Sequence, residues 1–340
     1  MQALIFNGPN NISIADHPVS SIGESELLIQ VGACGVCGTD FHIYKGEAPA
    51  KAPVIIGHEY VGEVVETGRT ASGFKIGNRV AINPNIHCGY CQFCRKGKIN
   101  LCENLKALGV TINGGIAQYS IVPITQAHLL PENFSFDTAA FAEPLSCCIH
   151  GVDQADIKLN DSVIIVGAGT IGLIMTQLAL LKGASKVIVI DIADEKLALA
   201  QKLKAHYTFN IKREYSKEQI LDLTSGGADV VIECVGNSSA VKTSFELVKK
   251  GGTIVIFGLA DSKDYIPLYL QSFFHKELNI KSSLLNPFTF QTAVDLLVSN
   301  QVRVDLFKTA KLKLEYQDMN KLFNEPRDNS VIKYMVIPNN

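Results

Sequence analysis

The sequence contains no tryptophan, only four methionines and 8% aromatic residues among its 340 positions. The sequence also lacks a large excess of either charge: it has 31 Lys and Arg and 33 Asp and Glu, which gives a formal net charge of −2. This balance offers no electrostatic reason to expect nucleic acid or an anionic membrane as a partner. The N-terminal stretch MQALIFNGPNNISIAD lacks the basic and apolar regions of a secretory signal, so we expect a cytoplasmic protein with reduced cysteines.

One uncharged stretch, Ser162–Leu181, has the length of a membrane span. Three glycines interrupt it directly after a β-branched run, however. The pattern favours a strand, a glycine turn and a buried helix over a membrane-spanning segment.

The rhythm of the chain changes near residue 150 and predicts two domains. Residues 1–150 carry short alternating or β-branched runs broken by Gly, Pro and Asn, which is typical of a mostly β domain. Residues 151–285 alternate strand-like and helical runs, so they predict an α/β fold with βαβ units and a doubly wound parallel sheet. A helical stretch and the run VIKYMVIP within residues 286–340 predict a return to the first domain.

Gly167, Gly169 and Gly172 form a G-x-G-x-x-G sequence between a predicted strand and a helix that begins at Thr170. Such glycines let backbone amides approach a pyrophosphate at the positive end of a helix. Asp191 closes the next predicted strand, where a carboxylate accepts hydrogen bonds from a ribose and repels a 2′-phosphate. The sequence therefore predicts binding of NAD rather than NADP, and a tight glycine turn without a ligand is the alternative.

Four of the nine cysteines fall within residues 88–102, which we call the cysteine lobe. Their spacing, C-x2-C-x2-C-x7-C, allows them to converge on one tetrahedral ion, and four thiolates leave no vacant position. The lobe therefore predicts a structural zinc ion that cannot bind substrate. Iron–sulfur clusters use different spacings, and four unrelated buried thiols are the other alternative. The members are Cys88, Cys91, Cys94 and Cys102.

A second candidate metal site lies earlier in the chain. Cys37, His58 and Glu59 offer a soft, a borderline and a hard ligand, a combination that suits zinc. Three protein ligands would leave a fourth position for water or a substrate oxygen. An ordinary surface or capping pair of His58 and Glu59 is the alternative, and we interpret Cys34 as a small buried thiol.

Together these motifs resemble the zinc-dependent medium-chain dehydrogenase/reductases over essentially the whole chain. GHEYVGEVVETG matches that family's zinc signature, G-H-E-x2-G-x5-G, and CGTD, the cysteine lobe and the glycine sequence occur in the family's order. Glu59 and Glu143 point to the branch of sorbitol, threonine and related polyol dehydrogenases. The resemblance implies a GroES-like catalytic domain, an inserted Rossmann domain, an active cleft at their junction, and a homodimer or homotetramer.

The resemblance also implies roles for individual residues. Thr39 and His42 match a proton relay of the form C-x-T-x-x-H. Glu143 matches a position that either binds the catalytic zinc or holds its water. The positions matched to ligands of that zinc are Cys37, His58 and Glu59. The positions matched to NAD contacts, beside the glycines and Thr170, are Ile171, Asp191, Lys196, Phe257, Gly258 and Leu259.

The implied reaction is hydride transfer from a secondary alcohol to NAD. The segment Ser282–Asn286 lacks the arginine usual in sugar-acid relatives, so we expect a neutral polyol or vicinal diol as substrate. Tyr44 is a candidate for a contact with a substrate hydroxyl, with a packed aromatic as the equal alternative. Two rival functions stay open: an amino-alcohol dehydrogenase acting on threonine or an aminocyclitol, with Glu143 facing the ammonium group, and a noncatalytic sensor that binds zinc and NAD.

Overall fold

The computed structural model describes residues 1–214, 216–261 and 263–339, and the chain divides into two compact units. Unit 1 comprises Met1–Ser146 and Asn286–Asn340, and unit 2 comprises Cys147–Leu285. The first boundary falls within one continuous helix, Ala142–Ala155, which also contains residue 150, where the sequence rhythm changes.

The secondary structure is numbered in chain order. The strands are β1 (Gln2–Gly8), β2 (Asn11–Asp16), β3 (Glu26–Gly35), β4 (Val54–Ile55), β5 (Glu59–Thr67), β6 (Arg79–Ile82), β7 (Asn85–Ile86), β8 (Lys106–Ala107), β9 (Tyr119–Pro123), β10 (Ala127–Leu129), β11 (Ser162–Val166), β12 (Lys186–Asp191), β13 (Tyr207–Asn210), β14 (Ala228–Glu233), β15 (Val248–Ile256), β16 (Asn279–Ser282), β17 (Thr309–Lys313) and β18 (Lys333–Ile337). The α-helices are α1 (Gly38–Lys45), α2 (Phe136–Ala139), α3 (Ala142–Ala155), α4 (Thr170–Leu181), α5 (Asp194–Lys202), α6 (Ser216–Leu223), α7 (Ser238–Leu247), α8 (Leu270–Lys276), α9 (Phe290–Val298) and α10 (Tyr316–Asn324). Single 3-10 turns cover Cys94–Lys96, Ile99–Leu101 and Ile124–Gln126.

Unit 1 is built mainly from β-sheet, as the sequence predicts. Its largest sheet has the strand order β10-β6-β5-β3-β18-β17, with β9 also pairing with β3. Alternate residues of β3 are buried, among them Leu27, Ile29 and Val31, which is the period of a strand with one face on the core. β18 pairs antiparallel with β3 and places Val336 opposite Cys34, so the C-terminal segment joins the sheet of the N-terminal one.

Unit 2 contains a six-stranded parallel sheet in the order β13-β12-β11-β14-β15-β16. This is the doubly wound order of dinucleotide-binding folds, and it confirms the predicted fold class. Connections reverse direction between β11 and β14, which is where such sheets bind ligands. The uncharged stretch Ser162–Leu181 forms β11, the glycine turn and α4. Within the described residues, no helix has both the length and the apolarity needed to cross a membrane.

Candidate zinc and dinucleotide sites

Cys37, His58 and Glu59 come together in unit 1, where their ligand atoms all lie within 4.8 Å of one another. β3 and β5 pair antiparallel with Gly35 opposite Glu59, and Cys37 follows β3 as the N-cap of α1. His58 and Glu59 are buried, and Cys37 is half-buried. A sulfur, an imidazole and a carboxylate this close together fit a zinc ion. We refer to these three residues as the Cys37 group.

Glycines of the GHE signature allow this close approach. Gly57 has a φ of 96°, and a Cβ there would lie 2.5 Å from Ile116 Cγ1 and 2.8 Å from Cys34 Sγ. A Cβ on Gly62 would overlap the carbonyl oxygen of Gln30 in β3. Larger residues would therefore push β5 away from β3 and displace the Cys37 group. Burial raises the pKa of the Cys34 thiol well above its ordinary value, which suits a packing residue rather than a ligand.

Asp40, to which the sequence assigned no role, is fully buried in the first turn of α1. Its Oδ2 accepts a hydrogen bond from the backbone N–H of Cys37 at 2.8 Å, and its Oδ1 lies 3.5 Å from His58 Nδ1. Burial acts to lower the pKa of His58, but Asp40 and Cys37 outweigh it and raise that pKa well above its ordinary value. A carboxylate beside a ligating histidine fixes the orientation of the ring. The sequence feature that could have pointed to Asp40 is its position as an acidic residue one helical turn after Cys37.

Lys333 is a second residue that the sequence analysis missed, and it forms an ion pair with Oε2 of Glu59. Both side chains are buried, with 5% of Lys333 and 1% of Glu59 exposed. Burial acts to lower the pKa of Lys333, but Glu59 and Cys37 raise it, so the side chain is a cation. A carboxylate has two oxygens, so Glu59 can contact Lys333 and a metal ion at the same time. A single charge inside the apolar run VIKYMVIP was the signal for this residue.

The other residues matched to the catalytic site lie at or near α1 and α3. Thr39 Oγ1 is 3.6 Å from Cys37 Sγ, so its hydroxyl borders the Cys37 group. His42 lies one turn later on α1, with its Nδ1 2.7 Å from Glu47 Oε2, and it is partly exposed. Glu143 is buried in the first turn of α3. Within the described part of the chain, its carboxylate is not in the set of ligand atoms that lie within 4.8 Å of one another.

Tyr44 is placed in the core of unit 1 rather than in the Cys37 group. It is 8% exposed, its ring centroid lies 5.2 Å from that of Phe323, and its hydroxyl donates a hydrogen bond to Asn324 Oδ1 at 2.7 Å. These contacts favour the packed-aromatic alternative, because the hydroxyl already has a partner within the fold. The contact of Tyr44 with a substrate hydroxyl stays an untested prediction.

The four thiols of the cysteine lobe also converge, with all Sγ atoms within 4.8 Å of one another and those of Cys88 and Cys94 4.0 Å apart. Backbone N–H groups point at the sulfurs: Cys91 N lies 3.4 Å from Cys88 Sγ, and Asn104 N lies 3.4 Å from Cys102 Sγ. Desolvation acts to raise the pKa of Cys88, but the N–H groups of Tyr90 and Cys91 outweigh it and lower that pKa to about 6. In the same cluster, desolvation and the Cys91 side chain raise the pKa of Cys94 to about 12. Donors aimed at sulfur stabilise thiolates, so the lobe fits a closed zinc site.

The glycine turn of unit 2 has the geometry of a phosphate cradle. Gly167 has a φ of 99°, and a Cβ on Gly172 would overlap the carbonyl oxygen of Gly167. A Cβ on Gly169, the N-cap of α4, would meet no atom within 4 Å, so the turn is open at the helix N-terminus. Asp191 Oδ2 accepts a hydrogen bond from Ala168 N at 2.6 Å and thereby ties the end of β12 to this turn. The turn fits a pyrophosphate, with the carboxylate of Asp191 beside it.

The remaining residues matched to NAD lie at the same carboxyl edge of the parallel sheet. Thr170 and Ile171 begin α4, and Lys196 is half-buried on α5. Phe257–Leu259 follow β15, which lies on the other side of β11 from β12. A dinucleotide bound at the glycine turn would therefore extend from the β12 side to the β14 and β15 side.

Known proteins resemble this chain in sequence and in fold. Residues 23–132 match the family described as "Alcohol dehydrogenase GroES-like domain", and residues 170–299 match "Zinc-binding dehydrogenase". The chain is 35% identical to D-arabinitol dehydrogenase 1 of Uromyces fabae, over 94% of the chain and 92% of the relative. It is 32% identical to sorbitol dehydrogenase of Bacillus subtilis strain 168, over 100% and 98%. A structure described as a zinc-binding dehydrogenase from Sinorhizobium meliloti 1021 bound to NADP superimposes with a TM-score of 0.94 and 37% identity, over 99% of both chains.

The fold, the two thiol-containing clusters and these similarities define a zinc-binding dehydrogenase. The chain belongs to the family of zinc-dependent alcohol and polyol dehydrogenases that combine a GroES-like domain with a Rossmann domain. It is an oxidoreductase that uses zinc and a nicotinamide cofactor, as the sequence predicted.

Proposed function

We propose that this dehydrogenase oxidises a secondary alcohol of a neutral polyol or vicinal diol and transfers the hydride to NAD. The observation that carries the proposal is the Cys37 group, whose three ligand atoms converge within 4.8 Å beside the hydroxyl of Thr39. D-Arabinitol and sorbitol, which appear in the names of the two curated relatives, are neutral polyols.

Two zinc ions per chain are part of the proposal. A bound zinc ion acts as a Lewis acid that lowers the pKa of an alcohol hydroxyl. We assign the substrate site to the Cys37 group, because its three ligands leave a position open and the four thiols of the cysteine lobe do not. Glu59 is the proposed carboxylate ligand, since it belongs to the close ligand set and Glu143 does not. For Glu143 we keep the other role that the resemblance allows, which is to hold the water or the substrate hydroxyl.

The alcohol proton is proposed to leave along α1. Thr39 Oγ1 accepts it next to the Cys37 group and releases its own hydroxyl proton. A ribose hydroxyl of the cofactor would connect Thr39 with His42, which lies three positions later on the same helix face and leads toward solvent. The partial exposure of His42 and its contact with Glu47 support the solvent end of this path, because both side chains lie at the surface.

NAD is proposed as the cofactor on the basis of Asp191. Its carboxylate lies beside the glycine turn, where it offers acceptors to ribose hydroxyls and repels a 2′-phosphate. The relative from Sinorhizobium meliloti was solved with NADP bound, so the preference of this chain needs its own measurement.

Substitution Asp191→Ala is expected to weaken NAD by about tenfold or more, because it removes charge-assisted hydrogen bonds to the ribose. Binding of NADP is expected to change much less, since loss of repulsion offsets the looser turn. Asp191→Asn is the control, because it keeps an acceptor for Ala168 N while removing the charge. Dissociation constants of both cofactors are measured by titration, and equal losses for NAD and NADP would exclude Asp191 as the selecting residue.

A neutral substrate is proposed because the segment Ser282–Asn286 supplies no arginine. Asn286 stands in that segment, and it is buried, with its Nδ2 donating to Ser146 Oγ at 2.8 Å. Its amide is thus hydrogen-bonded within unit 1, and because it is uncharged it cannot replace an arginine as the partner of a carboxylate or a phosphate.

The test is NADH production from a panel of neutral polyols, vicinal diols, sugar acids, polyol phosphates and threonine. Neutral polyols or diols are expected to give the highest kcat/KM. Turnover confined to threonine or an aminocyclitol would replace the proposal with the amino-alcohol reaction. Bound zinc and NAD without any turnover would instead favour the sensor.

A homo-oligomer in the cytoplasm completes the proposal. β16 is an edge strand of the parallel sheet, and large side chains of the adjoining segment are 74–84% exposed: Tyr265, Tyr269, Leu270 and Phe274. We propose that a second copy of the chain binds to this apolar surface. The nine cysteines carry reduced thiols, which suits a reducing compartment. Light scattering of the purified protein and fractionation of cells would test the two statements.

A further inference from the structure

Glu233 is a fully buried carboxylate at the end of β14, and neither the zinc sites nor the Asp191 side of the cofactor site uses it. Its side-chain Oε1 accepts hydrogen bonds from Val235 N at 2.7 Å and Gly236 N at 2.8 Å. Its carbonyl oxygen accepts from Phe257 N at 3.0 Å and Gly258 N at 3.1 Å. This one residue therefore joins the turn after β14 to the turn after β15.

The two turns are packed so closely that no side chain fits between them. Gly236 has a φ of 82°, and a Cβ there would overlap the carbonyl oxygen of Leu259. A Cβ on Gly258 would overlap the nitrogen of Gly236 and lie 2.5 Å from its Cα. The position of Phe257–Leu259 thus depends on the turn at Gly236, and the carboxylate of Glu233 holds that turn.

These turns occupy one half of the dinucleotide site. The pyrophosphate cradle follows β11, and Asp191 ends β12 on one side of it. β14 and β15 lie on the other side, which is where the nicotinamide half of a dinucleotide reaches in this strand order. Phe257–Leu259 are therefore part of the surface that this half meets.

We propose that Glu233 is a positioning residue for the nicotinamide half of the cofactor, acting through the Val235–Gly236 turn on Phe257–Leu259. Glu233 does not contact the cofactor in this proposal. The inference rests on the proposed use of a nicotinamide dinucleotide at this edge of the sheet.

The test compares NADH with ADP-ribose, which retains the adenosine and pyrophosphate but lacks the nicotinamide. Glu233→Ala removes the acceptor of the Val235 and Gly236 N–H groups, which frees their turn, and it is expected to weaken the binding of NADH by about tenfold. ADP-ribose is expected to bind as it does to the wild type, because the glycine turn and Asp191 are untouched. Glu233→Gln keeps the volume of the side chain and one acceptor oxygen. Its affinity for NADH is therefore expected to lie between those of the wild type and Glu233→Ala. Dissociation constants are measured by fluorescence and calorimetry.

Asp229→Asn is the matched control at the opposite end of the same strand, where Asp229 Oδ2 accepts from Ser162 N at 2.9 Å. It is expected to lower the melting temperature and leave the NADH to ADP-ribose ratio unchanged. Equal losses of both ligands in Glu233→Ala, or unchanged NADH binding, would overturn the proposal. If Glu233→Ala does not fold, the ratio in Glu233→Gln decides. A wild type that binds ADP-ribose but gains nothing from the nicotinamide would refute the proposed function itself, whatever the variants do.

Discussion

Replacing Cys37 by alanine is expected to remove one of the two proposed zinc ions and to lower kcat/KM by at least about a thousandfold. Cys37 supplies the only sulfur of the Cys37 group, and its loss leaves one imidazole and one carboxylate that is already paired with Lys333. Two such ligands do not hold zinc against dilution. Metal analysis and NADH production from a polyol measure the two effects. Affinity for NADH is expected to stay unchanged, because the glycine turn belongs to unit 2 and the substitution to unit 1.

Cys94→Ser in the cysteine lobe is the matched control, since it also removes one sulfur from a candidate zinc site in unit 1. It is expected to lower the melting temperature and to retain the zinc ion of the Cys37 group. Any folded fraction should keep its turnover. A Cys37→Ala protein that retains both zinc ions, or turns over at the wild-type rate, would remove Cys37 from the catalytic site. A stably folded but inactive Cys94→Ser protein would contradict a purely structural lobe.

Site residues that belong to a short sequence motif were predictable from the sequence. The cysteine lobe converges because short spacings place its sulfurs close together by chain geometry alone. The glycine turn was equally predictable, since a strand, three glycines and an apolar helix leave few other conformations. Cys37, His58 and Glu59 come from two separate segments of the chain. The sequence still indicates that these segments meet, because it shows the glycines that let β5 approach β3.

Residues that work through distant contacts were not predictable in the same way. Lys333 reaches Glu59 only because the C-terminal strand β18 pairs with β3, and the sequence showed one lysine in an apolar run. The sequence analysis does not single out Glu233, because its proposed role depends on the packing of two turns. Tyr44 illustrates the opposite case, because its place in a helix beside catalytic positions is compatible with either a substrate contact or the core. Only the partner Asn324 distinguishes them.

Replacing Lys333 by methionine is expected to destabilise the protein by about 3–5 kcal/mol, because it leaves the carboxylate of Glu59 buried without its cation. The nearly complete burial of both groups is what makes the effect large. The cost should be greater in zinc-depleted protein than in zinc-loaded protein, since a bound zinc ion partly replaces the lost positive charge. Urea unfolding of both forms measures the difference.

Two further variants separate this charge effect from a loss of packing. Lys311→Met removes a lysine from the neighbouring strand β17 whose Nζ lies 2.6 Å from Asp137 Oδ2, but this pair is exposed. Its expected cost is at most about 1 kcal/mol, because solvent screens the charges. The double substitution Glu59→Gln with Lys333→Met removes both buried charges and should recover most of the stability lost in Lys333→Met alone. If the double variant is no more stable than the single one, or if zinc makes no difference to the cost, then Lys333 stabilises unit 1 by packing its stem and not by balancing Glu59.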